Sequence, residues 1–275
     1  MNLYVSDLDG TLLNSSREIT EYSKNTINKL IKDKGMDFTI ATARTPGTVV
    51  EILEGLNIDK PIALMNGVFL YDLNKKEYLK VREIEKGIVR KILNILESFG
   101  KEPFLYGIKD NHLYVYHKEL IIDLDKIYFD ERKCSKYKTF EVISNYHNAI
   151  EEIQVVNFMI LDKKEVIELI FKEIVKIEGI NAGCYKDVYD ENCYFIEIHS
   201  GEASKKKAIE DLKELYAPSK VICFGDNMND LPMFEVADEK YAMENAVEGL
   251  KVFATNIIES NDDNGVAKYL EARFK

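Results

Sequence analysis

Four short apolar runs in this sequence each end in polar residues that can do chemistry, and this pattern limits the possible folds more than any other feature. The runs begin at Leu3, Phe38, Pro61 and Val221. The polar segments that end them are Asp7-Leu8-Asp9-Gly10-Thr11, Thr42-Ala43-Arg44, Asn66-Gly67 and Gly225-Asp226-Asn227-Met228-Asn229-Asp230. Open parallel sheets bind ligands at the carboxyl ends of their strands. The sequence therefore predicts an α/β protein whose site lies at one edge of a parallel sheet.

Segments with helical spacing separate these runs, and the middle of the chain follows a different pattern. Continuous apolar runs that alternate with helices are typical of buried parallel strands with crossover helices. Between residues 81 and 189, hairpin patterns such as 104–108 with 112–117 mix with helices. We therefore predict a core of residues 1–80 and 190–275 that carries an inserted α+β domain, residues 81–189. Short core strands are predicted at 239–243 and 252–255.

The composition excludes several function classes. The 275 residues include 37 Lys+Arg and 48 Asp+Glu, which gives a formal net charge of −11. An excess of carboxylates repels polyanions, so we expect neither nucleic acid nor a membrane as a partner. The sequence shows no signal-peptide pattern, and its four cysteines lack the spacing of a zinc site or a disulfide framework. These features predict a cytoplasmic protein with reduced thiols.

The first polar segment places two carboxylates close together. Residues two apart in a strand face the same side, and Gly10 permits a sharp turn directly after Asp7 and Asp9. Two neighbouring carboxylates do not ionise together easily, so one of them tends to keep its proton. The pair would then supply a nucleophile and an acid. A capping Asp followed by a turn Asp would explain this segment alone, but the three other segments argue against that interpretation.

Asp226 and Asp230 add two more carboxylates to the predicted sheet edge. Four acids in one site need a cation, and hard oxygen ligands beside a phosphate favour Mg²⁺. A helix cap is the alternative for this segment. A calcium loop is excluded because its twelfth position, Ala237, has no carboxylate. Lys205 lies at the start of a predicted helix, where its charge opposes the helix dipole, so an anionic ligand would explain its presence.

Together and in this order, these segments resemble the haloacid dehalogenase-like superfamily of phosphohydrolases. The residues that carry the resemblance are Asp7-Leu8-Asp9-Gly10-Thr11-Leu12, Thr42, Lys205 and Gly225-Asp226-x-x-Asn229-Asp230. The late segments Met243-Glu244-Asn245-Ala246 and Ser260-Asn261-Asp262-Asp263-Asn264-Gly265-Val266-Ala267 resemble the Cof-type subfamily, as does the position of the insertion. The resemblance implies a Rossmann-like core with a mobile cap, and a Mg²⁺-dependent phosphatase that acts on small phosphorylated metabolites through an aspartyl-phosphate.

The resemblance also implies a role for individual residues. The implied catalytic residues are Asp7, the nucleophile, and Asp9, the general acid and base. The implied metal ligands are Asp7, the backbone carbonyl of Asp9, Asp226 and Asp230. The groups that hold the phosphate match Thr42, Lys205 and Asn229, and positions near the phosphate or the substrate match Arg44 and Asn66. The spacing to Ala208-Ile209 favours Lys205 over the neighbouring Lys206 as the site lysine.

Two other functions are compatible with the same segments. Phosphoryl transfer to a sugar hydroxyl, as in a mutase, would use all four of them. A receiver-like or phosphate-binding module without turnover would need a phosphorylatable aspartate and a metal, but no second acid two residues later. The sequence by itself selects neither one substrate nor one oligomeric state.

Overall fold

The computed structural model describes residues 1–186 and 193–275, which form two compact units. The core unit consists of Met1–Lys80 and Ser204–Lys275, and the inserted unit consists of Val81–Ala203. The predicted return to the core at residue 190 lies outside the described residues. The next strand, Tyr194–Ser200, pairs within the sheet of the inserted unit. The inserted unit therefore extends to Ala203, beyond the predicted limit of 189.

Helices and strands alternate along most of the described chain. The first part contains β1 (Asn2–Ser6), α1 (Glu21–Lys34), β2 (Asp37–Ile40), α2 (Pro46–Val49), β3 (Ile62–Leu64), β4 (Phe69–Asp72) and β5 (Glu77–Val81). The inserted unit continues with α3 (Lys86–Ser98), β6 (Phe104–Lys109), β7 (His112–His117), α4 (Asp123–Arg132), β8 (Lys138–Val142), α5 (Tyr146–Ala149), β9 (Gln154–Asp162), α6 (Lys164–Ile174), β10 (Ile180–Lys186) and β11 (Tyr194–Ser200). The last part contains α7 (Lys205–Tyr216), β12 (Lys220–Gly225), α8 (Leu231–Val236), β13 (Glu239–Met243), α9 (Glu248–Lys251), β14 (Asn256–Ile258) and α10 (Gly265–Arg273).

The core unit is built on a parallel sheet with the strand order β14-β13-β12-β1-β2. A parallel bridge between Ala41 and Ala63 connects the end of β2 with β3, which forms a second, three-stranded sheet with β4 and β5. β1 is buried after its first residue, as expected for a parallel strand covered on both faces. Ser6 pairs with Phe224, so the carboxyl ends of β1 and β12 are adjacent. The predicted fold class, a parallel α/β core with an inserted α+β domain, is confirmed.

The inserted unit has a six-stranded sheet with the order β10-β11-β9-β6-β7-β8. All neighbouring strands are antiparallel except β7 and β8, which are parallel and are connected through α4. α3 and α6 cover one face of this sheet with apolar side chains at helical spacing. These side chains are Val89, Ile92, Leu93, Leu96, Ile167, Ile170 and Ile174. The predicted hairpin of β6 and β7 has the expected antiparallel register.

One predicted strand of the core unit is wrong. Residues 252–253 form a turn after α9, residues 254–255 belong to no helix or strand, and the strand β14 begins only at Asn256. The backbone amides of Phe253 and Ala254 donate to the carbonyls of Leu250 and Lys251, at 3.0 and 3.1 Å. These local hydrogen bonds outweigh the β-propensity of Val and Phe at the start of the segment. Within the described residues, no helix combines the length and apolar character that crossing a membrane requires.

Candidate active site

Three carboxylates lie together at the carboxyl edge of the core sheet. Asp7 directly follows β1, Asp226 directly follows β12, and Asp230 lies just before α8. One oxygen from each of these side chains lies within 4.8 Å of the other two. The parallel pairing of β1 with β12 produces this arrangement, because it brings the ends of two strands from opposite parts of the chain side by side.

A buried lysine connects two of these carboxylates. Nζ of Lys205 donates to Oδ1 of Asp7 at 2.7 Å and to Oδ1 of Asp230 at 2.5 Å. The lysine side chain has no solvent exposure, and Ser204 caps the helix that begins with it. The neighbouring Lys206 is exposed and pairs with a surface glutamate instead. The two carboxylates thus compensate a lysine charge that is unfavourable at the start of a helix.

Asp230 also shapes the loop that carries Asp226. Its second oxygen, Oδ2, accepts from the backbone amides of Asp226 at 2.9 Å and Asn227 at 3.1 Å. Asp230 is completely buried. The Asp230 carboxylate therefore holds the backbone of the loop that carries Asp226 with Oδ2 and binds Lys205 with Oδ1.

The turn after β1 packs directly on Asp226. Gly10 has a φ of +72°, and a Cβ atom at this position would overlap Oδ2 of Asp226. Thr11 donates its hydroxyl to Oδ1 of Asp226 at 3.0 Å, and the side-chain amide of Asn245 donates to the carbonyl of Gly10 at 2.8 Å. In the sequence, Thr11 and Asn245 stood out only as parts of family-like segments. The structure adds a positioning contact for each of them.

The carboxylate of Asp9 does not belong to this group of three. Nε and Nη2 of Arg44 donate to its two oxygens at 2.7 and 2.5 Å, which is a bidentate ion pair. The Asp9 side chain is 52% exposed. The structure thus separates the two carboxylates of the first segment: Asp7 faces Lys205, and Asp9 faces Arg44.

Thr42 and Asn66 lie at the ends of the next two strands. The hydroxyl of Thr42 accepts from the backbone amide of Arg44 at 3.2 Å, and its carbonyl accepts from the amide of Asn66 at 2.9 Å. The turn continues into Gly67, where a Cβ atom would overlap the carbonyl oxygen of Ser204. This turn therefore packs against the residue that caps the helix of the site lysine.

Asn66 and Asn229 make few contacts of their own. Oδ1 of Asn66 is buried and has no hydrogen-bond partner among the described residues. Asn229 is exposed in the short turn Met228–Asp230. The structure therefore collects Asp7, Asp226, Asp230 and Lys205 in one contact network and places Asn229 at the surface of the adjoining turn.

The electrostatics of the group favour a divalent cation. Burial raises the pKa of Asp7 to about 7, although Lys205 acts in the opposite direction. Burial, together with the charge of Asp230, raises the pKa of Asp226 to about 6. When ionised, the three carboxylates share one ammonium and leave an excess of two negative charges. Hard oxygen donors with this excess charge fit Mg²⁺.

Comparison with known sequences identifies the family. A sequence profile of haloacid dehalogenase-like hydrolases matches residues 4–270. The chain belongs to the haloacid dehalogenase-like hydrolase family. This confirms the resemblance carried by the strand-end segments, and it makes the chain a haloacid dehalogenase-like hydrolase over nearly its whole length.

Two relatives of this haloacid dehalogenase-like hydrolase are 5-amino-6-(5-phospho-D-ribitylamino)uracil phosphatases of Bacillus subtilis. One is 25% identical over 280 residues, covering 99% of this chain and 97% of its own length. The other is 28% identical over 290 residues, with coverages of 98% and 97%. The X-ray crystal structure of a Thermotoga maritima protein has the same fold, with a TM-score of 0.77 and 24% identity, covering 98% of this chain and 96% of that one.

Proposed function

We propose that this hydrolase removes phosphate from small phosphorylated metabolites in two steps, through an aspartyl-phosphate on Asp7, with Mg²⁺ as cofactor. The observation that carries the proposal is the buried contact network of Asp7, Asp226, Asp230 and Lys205. The names of the relatives support it, because both act on a phosphate ester of a ribityl chain. We also assign substrate selection to the inserted unit and expect the protein to act in the cytoplasm.

Asp7 is the group that we assign to the attack on phosphorus. Lys205 binds its Oδ1, so Oδ2 forms the bond to phosphorus while the bond from phosphorus to the ester oxygen breaks. The ammonium holds the carboxylate in one orientation and reduces its repulsion from the incoming phosphate. Splitting the hydrolysis into two displacements replaces one difficult step with two easier ones.

The metal site is proposed from the same residues. Asp7, Asp226, Asp230 and the backbone carbonyl of Asp9 would hold Mg²⁺. When bound, the ion offsets the negative charge that the carboxylates and the phosphate bring together. Its charge would also lower the raised pKa values of Asp7 and Asp226, so that both stay ionised at neutral pH.

Asp9 is the group that we assign to proton transfer. It donates a proton to the leaving alcohol, and it later accepts one from the water that attacks the aspartyl-phosphate. The bidentate pair with Arg44 occupies both carboxylate oxygens of Asp9. Proton donation therefore requires Asp9 to separate from Arg44, whose guanidinium would then be available to the phosphate or the substrate.

Two further residues complete the proposed phosphate site. The Thr42 hydroxyl accepts a hydrogen bond from a backbone amide, which leaves its own proton for a phosphate oxygen. Asn229 is assigned to the phosphate as well, and Asn66 to the substrate. The assignment of Asn66 is consistent with the unpartnered buried oxygen of its side chain.

Phosphate release from a generic aryl phosphate tests this function. The wild-type protein should release phosphate with Mg²⁺ and stop when the metal is chelated. Asp7→Asn should abolish release, whereas the same change at the exposed Asp33 on α1 should have no effect. Normal turnover by Asp7→Asn, or turnover that resists chelation, would contradict the proposal. Transfer of phosphate to an added sugar instead of water would identify a phosphotransferase.

A further inference from the structure

A polar row crosses four neighbouring strands of the inserted unit. Asn157 on β9 pairs with Tyr106 on β6 and with His199 on β11, and His199 pairs with Asn181 on β10. Side chains of directly paired residues lie next to each other on the same face of a sheet. The four side chains therefore form one continuous row, called the polar row below.

The polar row lies on the face opposite the apolar core. The adjacent register positions are Leu105, Phe158, Ile198 and Ala182, and all four pack in the core cluster beneath α3 and α6. Successive residues of a strand point to opposite faces. The two faces of the sheet thus differ sharply in chemistry, with apolar side chains on one and hydrogen-bonding side chains on the other.

The two ends of the polar row are satisfied, but its centre is not. Tyr106 shares a hydrogen bond with the hydroxyl of Tyr128 at 2.5 Å, and Asn181 donates to the carbonyl of Ala203 at 3.0 Å. In the centre, Oδ1 of Asn157 and Nδ1 of His199 are buried without a partner in the described part of the chain. Asn157 is only 2% exposed. Buried polar atoms are normally paired, so two neighbouring orphans indicate a missing partner.

A carboxylate and an aromatic ring lie beside this centre. Glu197, on the same face as His199, accepts a hydrogen bond from Nδ2 of Asn157 at 3.3 Å. Its cross-strand partner is Gly183, and the ring of Tyr185 occupies the space that a Cβ atom at Gly183 would take. Tyr185 is 52% exposed and packs against Phe195 in a tilted arrangement, with ring centroids 5.4 Å apart. An accessible aromatic ring therefore lies near the carboxylate.

The chemistry of these groups selects one kind of ligand. The carbonyl oxygen of Asn157 and the carboxylate of Glu197 accept hydrogen bonds, and a neutral imidazole either donates or accepts. Burial lowers the pKa of His199, which keeps its ring neutral at pH 7. The polar row itself contains no lysine or arginine. Two cations lie at its Tyr106 end, Lys138 against the ring of Tyr106 and Arg132 against the ring of Tyr128, so the centre of the row at Asn157 and His199 offers hydrogen-bonding groups rather than a positive charge. Hydroxyl groups match the acceptors, and the C–H face of a sugar ring or a polyol chain matches the face of Tyr185.

We infer that the inserted unit has a binding site for an uncharged, hydroxyl-rich molecule of the sugar or polyol class, formed by Asn157, His199, Glu197 and Tyr185. The ligand has two sources with the same chemistry. It is either the alcohol part of a phosphate ester that the protein hydrolyses or a free sugar or polyol. The inference depends on the contacts of the inserted unit alone, so it does not require the proposed function to be correct.

Direct binding is the first test. Saturation-transfer NMR with ribitol and with glucose on the full-length chain should show binding of at least one of them. Asn157→Leu should weaken that binding about three- to tenfold, the loss of one hydrogen bond. It should unfold close to the wild-type temperature, because the loss of the hydrogen bond to Glu197 opposes the gain from removing an unpaired buried oxygen. The matched control is Asn94→Leu on the exposed side of α3, which should change neither property.

A second variant and a second substrate complete the test. Tyr185→Ala removes a half-exposed ring, so it should fold normally and also weaken binding. If Asn157→Leu raises the KM for a polyol phosphate but not for an aryl phosphate, the ligand is the alcohol part of the substrate. If only the binding of the free polyol changes, the ligand is a separate molecule. Unchanged or undetectable binding of both polyols across the wild type and the two variants would overturn the inference, whether or not the protein releases phosphate. That outcome would leave a structural water as the partner of the two orphan atoms.

Discussion

The role of Lys205 gives the sharpest prediction. Lys205→Met keeps most of the volume of the side chain and removes its charge, so Asp7 and Asp230 lose the cation that they share. We expect this variant to lose phosphatase activity, and we also expect a measurable loss of stability when no metal is present. The second effect tests the geometry of the site independently of any reaction.

The magnitude follows from the burial of the network. The lysine side chain and the Asp230 side chain have no solvent exposure, and that of Asp7 is only 6% exposed, so water cannot replace the lysine. At an effective dielectric constant of about 20, two unit charges 2.7 Å apart attract each other by about 6 kcal/mol. Desolvation offsets part of this attraction. Removing one partner of a buried pair is therefore expected to lower the free energy of unfolding by about 3–5 kcal/mol.

The loss of unfolding free energy in Lys205→Met should depend on pH in a defined direction. Burial raises the pKa of Asp7 from 3.8 to about 7, so the folded protein binds this proton more tightly than the unfolded chain does. The stability that comes from binding this proton is fully present below pH 3.8, the pKa of Asp7 in the unfolded chain, and it is lost as the pH rises towards 7. Lys205 lowers the pKa of Asp7, so its removal moves the pKa higher. The variant should therefore lose less stability near pH 5, where the contact with Asp230 is lost but Asp7 is protonated, than near pH 8.5, where both contacts are lost.

Urea unfolding followed by circular dichroism, in EDTA at pH 5, 7 and 8.5, measures this difference. The control is Lys206→Met, since Lys206 is 40% exposed and pairs with Glu235 at 3.1 Å. An exposed pair of this kind contributes about 1 kcal/mol or less. Equal unfolding midpoints for the two variants at pH 8.5 would refute the reasoning, and so would a cost at Lys205 that is largest at pH 5.

Three further predictions concern other groups. Gly10→Ala should weaken Mg²⁺ binding in a calorimetric titration, because its Cβ would overlap Asp226; Gly35→Ala shares the positive φ but meets only ordinary contacts, so it should bind Mg²⁺ normally. Mg²⁺ should raise the thermal unfolding temperature of the wild type and have little effect on Asp226→Asn, which a calorimetric scan would show. Burial raises the pKa of Asp125 to about 6, so this group costs stability when it ionises. Asp125→Asn should therefore stabilise the protein by about 1–2 kcal/mol at pH 7 and by almost nothing at pH 4, as measured by urea unfolding.

The core sheet could be predicted because its signals are local and strong. The strands β1 and β12 are continuous apolar runs, and a run of this kind is compatible with burial on both faces. Parallel strands end at a common edge, so the polar residues after them had to lie near one another. The position of Asp7 beside Asp226 follows from this topology, although no local pattern connects the two residues.

The inserted unit was less predictable because its limits depend on pairing between distant strands. β11 belongs to its sheet through antiparallel pairing with β9 and β10, and nothing in the sequence of β11 itself shows that membership. α4 and β8 were not identified either. α4 has a weak apolar face, with Tyr128 as its buried ring, and most of β8 lies at the surface on the edge of the sheet.

The separation of Asp9 from Asp7 was the least predictable feature of the site. Spacing alone allowed both carboxylates to face one pocket, but Arg44 holds Asp9 from the end of another strand. The preference of a charged side chain for one partner over another depends on three-dimensional distances that a sequence pattern does not contain.

The site combines close packing with electrostatic repulsion, and this combination explains why a cation should control its stability. Gly10 lets the turn after β1 press against Asp226, and Gly67 lets the next turn press against Ser204. These contacts keep Asp7, Asp226 and Asp230 near one another even though Lys205 is the single cation that pairs with them among residues 1–186 and 193–275. A cation that binds the folded site and not the unfolded chain adds about 2.7 kcal/mol of stability at a hundred times its Kd. The repulsion that the fold tolerates without metal is therefore the source of the metal affinity that we expect.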